Sequence, residues 1–305
     1  MTRMIRTALV AAVALLAGAC DLAEVATAPG DDVVVVEAVL RTDRLNQQVL
    51  LHRSLQGRFS GGVPGARVTI TGNAGEARTL AETTGCFRID PAYQQADSLQ
   101  FEGSCYASNG DFAVRPGGIY ELRVETADGR VIRGRTQIPA DFTVPSVPVG
   151  SGSELICSLA PETTFTLTWT RSPGAASYVA DLSISGLAQL GIAAPEPFDL
   201  RGLAVSDTDT TIALPAEFGV FERFNYDAEL FKEIEDGFPG GIQLAVALAA
   251  ADRNWVNSVR GGNFNPSGLI RISTVVGDGV GVFGSLVVKH ITIPVRERTS
   301  IPRCR

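Results

Sequence analysis

The run "GDGVGVFGS" at residues 277–285 is the stretch whose residue types come nearest to chemistry. Gly279, Gly281 and Gly284 fit the spacing G-x-G-x-x-G. That spacing cradles a pyrophosphate when a strand precedes it and a helix N-terminus follows. Here "SLVVKHITIPV" follows, β-branched and alternating, so the sequence predicts a glycine turn or bulge with Phe283 as a core anchor beside it. No cofactor is expected. Asp207 and Asp209 in "SDTDTT" offer oxygen ligands without the spacing of a calcium loop. Glu233, Glu235 and Asp236 read as a solvated helix end and not as an acid/base pair. His52 and His290 both fall in strand-like segments, where a polar-face or hydrogen-bonded core role is the default. Serine, histidine and aspartate are all present, but no G-x-S-x-G elbow positions them for nucleophilic attack. No catalytic and no metal-binding residue is therefore expected.

The cysteines carry a different chemistry. Five occur, at 20, 86, 105, 157 and 304, with no C-x-x-C among them and only two histidines in the chain, which argues against zinc. Setting Cys20 aside, four allow three pairings. Proximity favours Cys86–Cys105, which leaves Cys157–Cys304 to close most of the second half. Bridges of these lengths contribute roughly 3 and 5 kcal/mol by loop entropy.

Cys20 stands at the end of a recognisable leader. Arg3 and Arg6 precede a ten-residue apolar run, "ALVAAVALLA" at 8–17, and small residues then meet the cysteine in "AGAC". A spanning helix needs roughly 20 apolar residues, so the pattern describes a secretory signal. "AGAC" resembles the bacterial lipobox, with Ala17 where a larger aliphatic residue is commoner. The resemblance implies a signal peptide over 1–19, acylation of Cys20 with palmitate-type chains, and a mature chain beginning there. Removing the two arginines takes the net charge from −7 to −9, a balance that should attract neither nucleic acid nor anionic lipid headgroups. Residues 20–32 lack periodicity and read as a tether. Asp21 resembles the inner-membrane retention signal of enteric bacteria.

Behind the anchor, strand signals dominate. "VVVVEAVL" (33–40) is β-branched, and "ARVTITG" (66–72) alternates with Val68 and Ile70 on one face. "YELRVETADGRVIRGRTQIP" (120–139) reads as a hairpin around Asp128-Gly129. The proline- and glycine-rich stretch at 139–153 is the best linker. Strands resume with Phe165, Leu167 and Trp169, then Tyr178, Ala180, Leu182 and Ile184. Helical spacing is expected at 218–237 and at 250–262, the latter with Trp255 and Val259 on one side. The fold class is thus mainly β, with two antiparallel β-sandwich domains at 33–138 and 154–305 and one or two short helices inserted in the second. The first half resembles the carboxypeptidase regulatory-like sandwich, and "TFTLTWTRSPGAASYVADLSISG" resembles the start of a fibronectin type III domain.

In order, "FNYDAELFKEIEDG", "IQLAVALAAADRNWVNSV" and "GDGVGVFGS" resemble domain-of-unknown-function family 4249. That likeness implies a lipoprotein of a diderm bacterium, in a family often encoded beside TonB-dependent outer-membrane receptors. No catalytic residues are established for the family, so none carry over. The chain departs in its arginine-rich composition, Lys232 and Lys289 being its lysines. The expectation is a lipid-anchored, non-enzymatic binding or accessory module of the cell envelope, serving an outer-membrane receptor. The outer membrane is favoured over the periplasmic face of the inner membrane. The alternative is a structural or adhesive envelope protein without a small ligand.

Overall fold

Alternating apolar and polar residues send successive side chains to opposite faces of a strand, and strands make up about half of the described residues. The computed structural model describes residues 32–54, 59–73, 75–84, 86, 100, 101, 103–150, 154–192, 196–203, 207–214, 234, 236–260 and 273–305. The signal, Cys20, the tether residues before Asp32, Glu233 and Glu235, and nearly all of the helix expected at 218–237 lie outside these residues.

The first half contributes β1 (Val34–Arg41), β2 (Gln48–Arg53), β3 (Phe59–Ser60), β4 (Arg67–Gly72), β5 (Ala77–Thr83), β6 (Gln100–Phe101), β7 (Ser104–Ala107), β8 (Ile119–Glu125) and β9 (Val131–Gln137). The second half contributes β10 (Leu155–Ile156), β11 (Phe165–Thr168), β12 (Ser177–Ser185), β13 (Phe198–Leu203), β14 (Thr211–Leu214) and β15 (Gln243–Ala251). Helix α1 (Arg253–Arg260), β16 (Val275–Gly277) and β17 (Gly279–Pro294) complete it. The protein is mainly β, and α1 is the one α-helix of more than a turn among the described residues. Its packed side is Val256 and half-buried Trp255, while Val259 points to solvent. That differs from the expected pairing of Trp255 with Val259, because the helix begins at Arg253 and lays residue 256 against the sheet.

One sheet of 13 strands runs β13-β12-β15-β17-β1-β2-β7-β5-β4-β8-β9-β16, with β10 also on β17; β11–β14 and β3–β6 form two small sheets. The centre of this path is β17, 16 residues long. Its first part pairs in parallel with β1, from Val34↔Gly279 to Arg41↔Leu286. Its second part pairs antiparallel with β15, from Ala251↔Leu286 to Gln243↔Pro294. The short β16 folds back and pairs with β9. The hairpin β16–β17 therefore closes the first half against β1 on one side and β9 on the other. Both halves share this sheet, and Asp32–Arg305 forms one compact unit.

The local devices are those the sequence announces. Val68, Ile70, Tyr120, Leu122 and Val124 are buried, and so are Leu167, Trp169, Leu182 and Ile184. The β8–β9 turn is held by Thr126, whose hydroxyl accepts from Arg130 N–H at 3.0 Å, with Gly129 at φ 88°. Buried tyrosines keep their hydroxyls partnered. Tyr106 donates to the Val63 carbonyl at 2.6 Å, and Tyr178 accepts from Ser172 N–H at 2.7 Å. Both bridges are present, Cys86–Cys105 and Cys157–Cys304. The stretch expected as a linker is packed over its described residues: Phe142, Val144 and Val147 are buried, and Phe142 meets Tyr178 edge-on.

Candidate functional site

Directly paired residues in a ladder project to the same side, so register assigns the two faces of the large sheet. Val34, Val36, Ala38 and Leu40 of β1 face the main core with Phe283, Val287, Ile291 and Ile293 of β17. The opposite face carries Glu37, Val39 and Arg41 of β1, Leu286, Val288 and His290 of β17, Ala245, Ala247 and Ala249 of β15, and Asp181 and Ser183 of β12. Among the described residues, one end of this outer face is roofed by a helix. There α1 seals a small second core of Ala249, Ala251, Val256, Leu286 and Val288.

Two adjoining hollows lie along the outer face. One, of about 140 Å³, has an apolar floor of Val39, Leu286 and Val288, with Trp255 at one end and Arg41 and Asn46 at the rim. The other, of about 490 Å³, lies over Ala245 and Ala247 between Asp181, Ser183 and Asp199 on one side and His290 and Thr292 on the other. Asp181 and Ala247 line both, so together they make one trough. Glu37, Arg44, Gln47 and Gln48 also line the first hollow, so the trough is a small apolar floor set in a largely polar rim, which can hold and orient a ligand.

The polar groups of the trough are held in place by one another. His290 Nε2 donates to Asp43 Oδ2 at 2.8 Å. Arg41 donates to the same carboxylate through Nε at 3.0 Å and a terminal nitrogen at 2.9 Å. Burial pushes the Asp43 carboxyl up, but the hydrogen bonds from His290 and Arg41 outweigh it and hold the group well below the usual carboxylate range. Asp43 is thus an anion throughout ordinary pH and orients His290 over the trough. Ser183 donates to Asp199 at 2.6 Å.

The residues singled out in the sequence scatter. His52 is buried in β2; its Nδ1 donates to the Arg53 carbonyl at 2.9 Å, and its Nε2 lies 3.4 Å from Glu37. Asp207 pairs with Arg171. Gly279, Gly281 and Gly284 sit in β17 with strand after them, so the helix N-terminus a pyrophosphate needs does not follow. A side chain at Gly284 would meet the backbone of Trp255 at 2.9 Å, so its bareness admits α1. Among the described residues no three His, Cys, Asp or Glu side chains are grouped to hold a metal ion. Cys20 lies outside the described residues, and the four bridging cysteines staple the frame.

Sequence reasoning missed Asp252, the buried acid at the start of the helix that roofs one end of the outer face. It is 4% exposed. Its Oδ1 accepts from Trp255 N–H at 2.8 Å and Ser285 N–H at 3.1 Å, and its Oδ2 accepts from the Thr136 hydroxyl at 2.6 Å. It is the N-cap of α1 and the junction of α1, β9 and β17; an aspartate three residues before a tryptophan at a helix start was the available signal. Burial pushes its carboxyl up, against the opposing hydrogen bonds from Thr136, Trp255 and Ser285. An acid whose folded value is raised stabilises the fold most when protonated, and that contribution is lost as pH rises through the folded value. Asp252→Asn keeps Oδ1 on both N–H groups and turns its amide on Thr136, which then donates to Ser285 Oγ, now 2.8 Å away. We expect Asp252→Asn to remain within about 1 kcal/mol of wild type at neutral pH, with a flatter dependence of stability on pH above the ordinary carboxylate range. Asp252→Ala should cost about 3 kcal/mol, from a lost cap and buried donors left unpaired. Urea midpoints across pH check both; equal losses in the two variants would refute this account of the junction.

A family model described as a domain of unknown function (DUF4249) matches residues 23–265, most of the chain. No curated protein matches it.

Proposed function

The chain belongs to the family described as domain of unknown function (DUF4249), and from that premise we propose that it is a lipid-anchored, non-enzymatic binding module of the cell envelope that serves a TonB-dependent receptor of the outer membrane. The observation that carries the reading is the trough on the outer face of the sheet, over Ala245 and Ala247 and beside Trp255. Its polar rim is preorganised by the Arg41–Asp43–His290 cluster, and preorganised polar groups around an apolar floor suit recognition. The same residues support binding over reaction: Asp43 accepts three hydrogen bonds, two from Arg41 and one on which His290 spends Nε2. For the anchor, the support is the "AGAC" sequence after a short apolar run. For the receptor, it is the likeness to a family often encoded beside such receptors.

Two measurements in intact cells test the proposal. Cys20→Ser should abolish acyl labelling and release the protein from membranes; unchanged membrane retention would remove the anchor from the proposal. A photo-crosslinking residue at Ala247 should give a discrete adduct with an outer-membrane receptor, while one at Arg123, on the solvent side of β8, should not. Adducts of equal yield from both positions, or none from Ala247, would overturn the assignment of the trough.

A further inference from the structure

We propose that the end of the molecule where the folded chain begins is a lipid-contacting surface, fitted to the headgroup layer of the membrane that holds the anchor. This rests on the reading of Cys20 as the attachment point.

The start of the folded unit is clamped. Arg53 donates to Asp32 Oδ2 at 2.5 Å, and Arg130 donates to the Asp32 carbonyl at 2.7 Å. Val33 N–H donates to Ser54 Oγ at 3.2 Å. The same end holds both nearby turns. Arg130 and Arg53 reach Asp128 of the β8–β9 turn at 3.2 and 3.6 Å. Asp278 of the β16–β17 turn accepts from Val131 N–H at 2.9 Å and returns its own N–H to the Val131 carbonyl at 3.0 Å. The chain therefore enters at a fixed place, beside two ordered turns.

Two features of this end suit a membrane surface. Val276 and Val280 flank Gly277-Asp278-Gly279, and they are 69% and 45% exposed. Around them Asp32, Asp128 and Asp278 are matched by Arg53, Arg130 and Arg133, the last opposite Val276 in the ladder. The whole chain carries a net charge of −7, so an anionic surface repels the body and not this balanced end. Exposed valines add apolar area where guanidinium groups can meet phosphates.

Chain length makes a weak contact sufficient. Cys20 precedes Asp32 by 12 residues, which span at most about 40 Å. A short tether sets an effective concentration in the mM range, so a contact with a Kd near 1 mM is about half occupied. The opposite end, where Gln243 pairs with Pro294, lies about 50 Å away along β17 at roughly 3.3 Å per residue. The trough lies on the face of the sheet between the two ends, its lining reaching Thr292 near the far one.

The test uses the mature chain from Cys20 onward. Cys20 is the one cysteine outside the two bridges, so maleimide-bearing lipid in phosphatidylcholine–phosphatidylglycerol vesicles attaches there. Tryptophan reporters are placed singly by Val276→Trp, Val280→Trp and Leu190→Trp, the last near the far end, and wild-type emission is subtracted. On attachment, the reporters at 276 and 280 should shift to the blue and be quenched by headgroup-spin-labelled lipid at least threefold more than the one at 190. Quenching at 276 and 280 equal to or below that at 190 overturns the proposal. Because attachment is chemical, this result is independent of acylation in cells; an acyl-free mass for the native protein would instead refute the anchor.

Discussion

Gly281→Val destabilises the protein by about 3–5 kcal/mol, with no change in affinity for any nucleotide. The glycine sits at φ +138°, a conformation that L side chains rarely adopt and that costs on the order of 1–3 kcal/mol when forced. The steric problem is larger. A Cβ built there lies 2.0 Å from the Val36 carbonyl oxygen and 2.6 Å from the Val36 nitrogen. These are backbone atoms of β1, paired with Gly281 in the parallel ladder, so no rotamer change relieves the clash. Either β17 lifts away from β1 or the ladder breaks. Gly117 is the internal control: its φ is +76°, yet a Cβ there meets nothing within 4 Å. Gly117→Ala should therefore cost about 1 kcal/mol, from strain alone. Denaturant midpoints separate the two contributions. A Gly281→Val loss no greater than that of Gly117→Ala would refute the close-approach account. Saturable NAD binding to wild type, removed by Gly281→Val with the midpoint unchanged, would return the glycines to cofactor chemistry.

That glycine also shows how far the sequence reaches. A glycine position beside a core phenylalanine is legible in "GVGVFG", because only a close approach or a special dihedral explains bare positions among β-branched neighbours. The partner strand is not legible. Alternation reports which side of a strand is buried and says nothing about what lies alongside, and Val36 and Gly281 are separated by almost the whole chain. The hairpin β8–β9 was readable since its pairing is local and its turn carries Asp128-Gly129. The trough was not, because its walls come from β1, β12, β13, β15 and β17, most of which meet through non-local pairing. Asp43 and His290 illustrate this. Each looks ordinary in its own segment, and their 2.8 Å contact exists because β17 runs beside β1. Asp252 was overlooked for a related reason: the cap is local, but its burial depends on Thr136 and Ser285 from two other strands.

Residues 32–150, expressed alone, should fail to fold, and the same segment with residues 273–287 joined to it should fold. The expectation follows from the closure of the first half by a hairpin supplied from the far end of the chain. Without β17, β1 loses the partner that pairs with all eight of its residues, leaving a long β-branched edge open to aggregation. Without β16, β9 loses its second neighbour. The core loses Phe283, fully buried, together with Val275 and Val282. Phe283 packs against the bare face of Gly134, where a Cβ would lie 2.9 Å from it. Removing a buried phenylalanine alone costs about 3–5 kcal/mol, and a domain has in total about 5–15 kcal/mol of stability. Adding two valines and an eight-residue ladder to that loss exceeds the reserve, even with Cys86–Cys105 intact. Joining 273–287 through a flexible linker restores the missing neighbours at an effective concentration in the mM range. A cooperative thermal transition and dispersed amide resonances should then appear in the joined form and be absent from the shorter one. A cooperative transition in 32–150 alone would mean that the first half is an autonomous domain and that β17 merely rests against it.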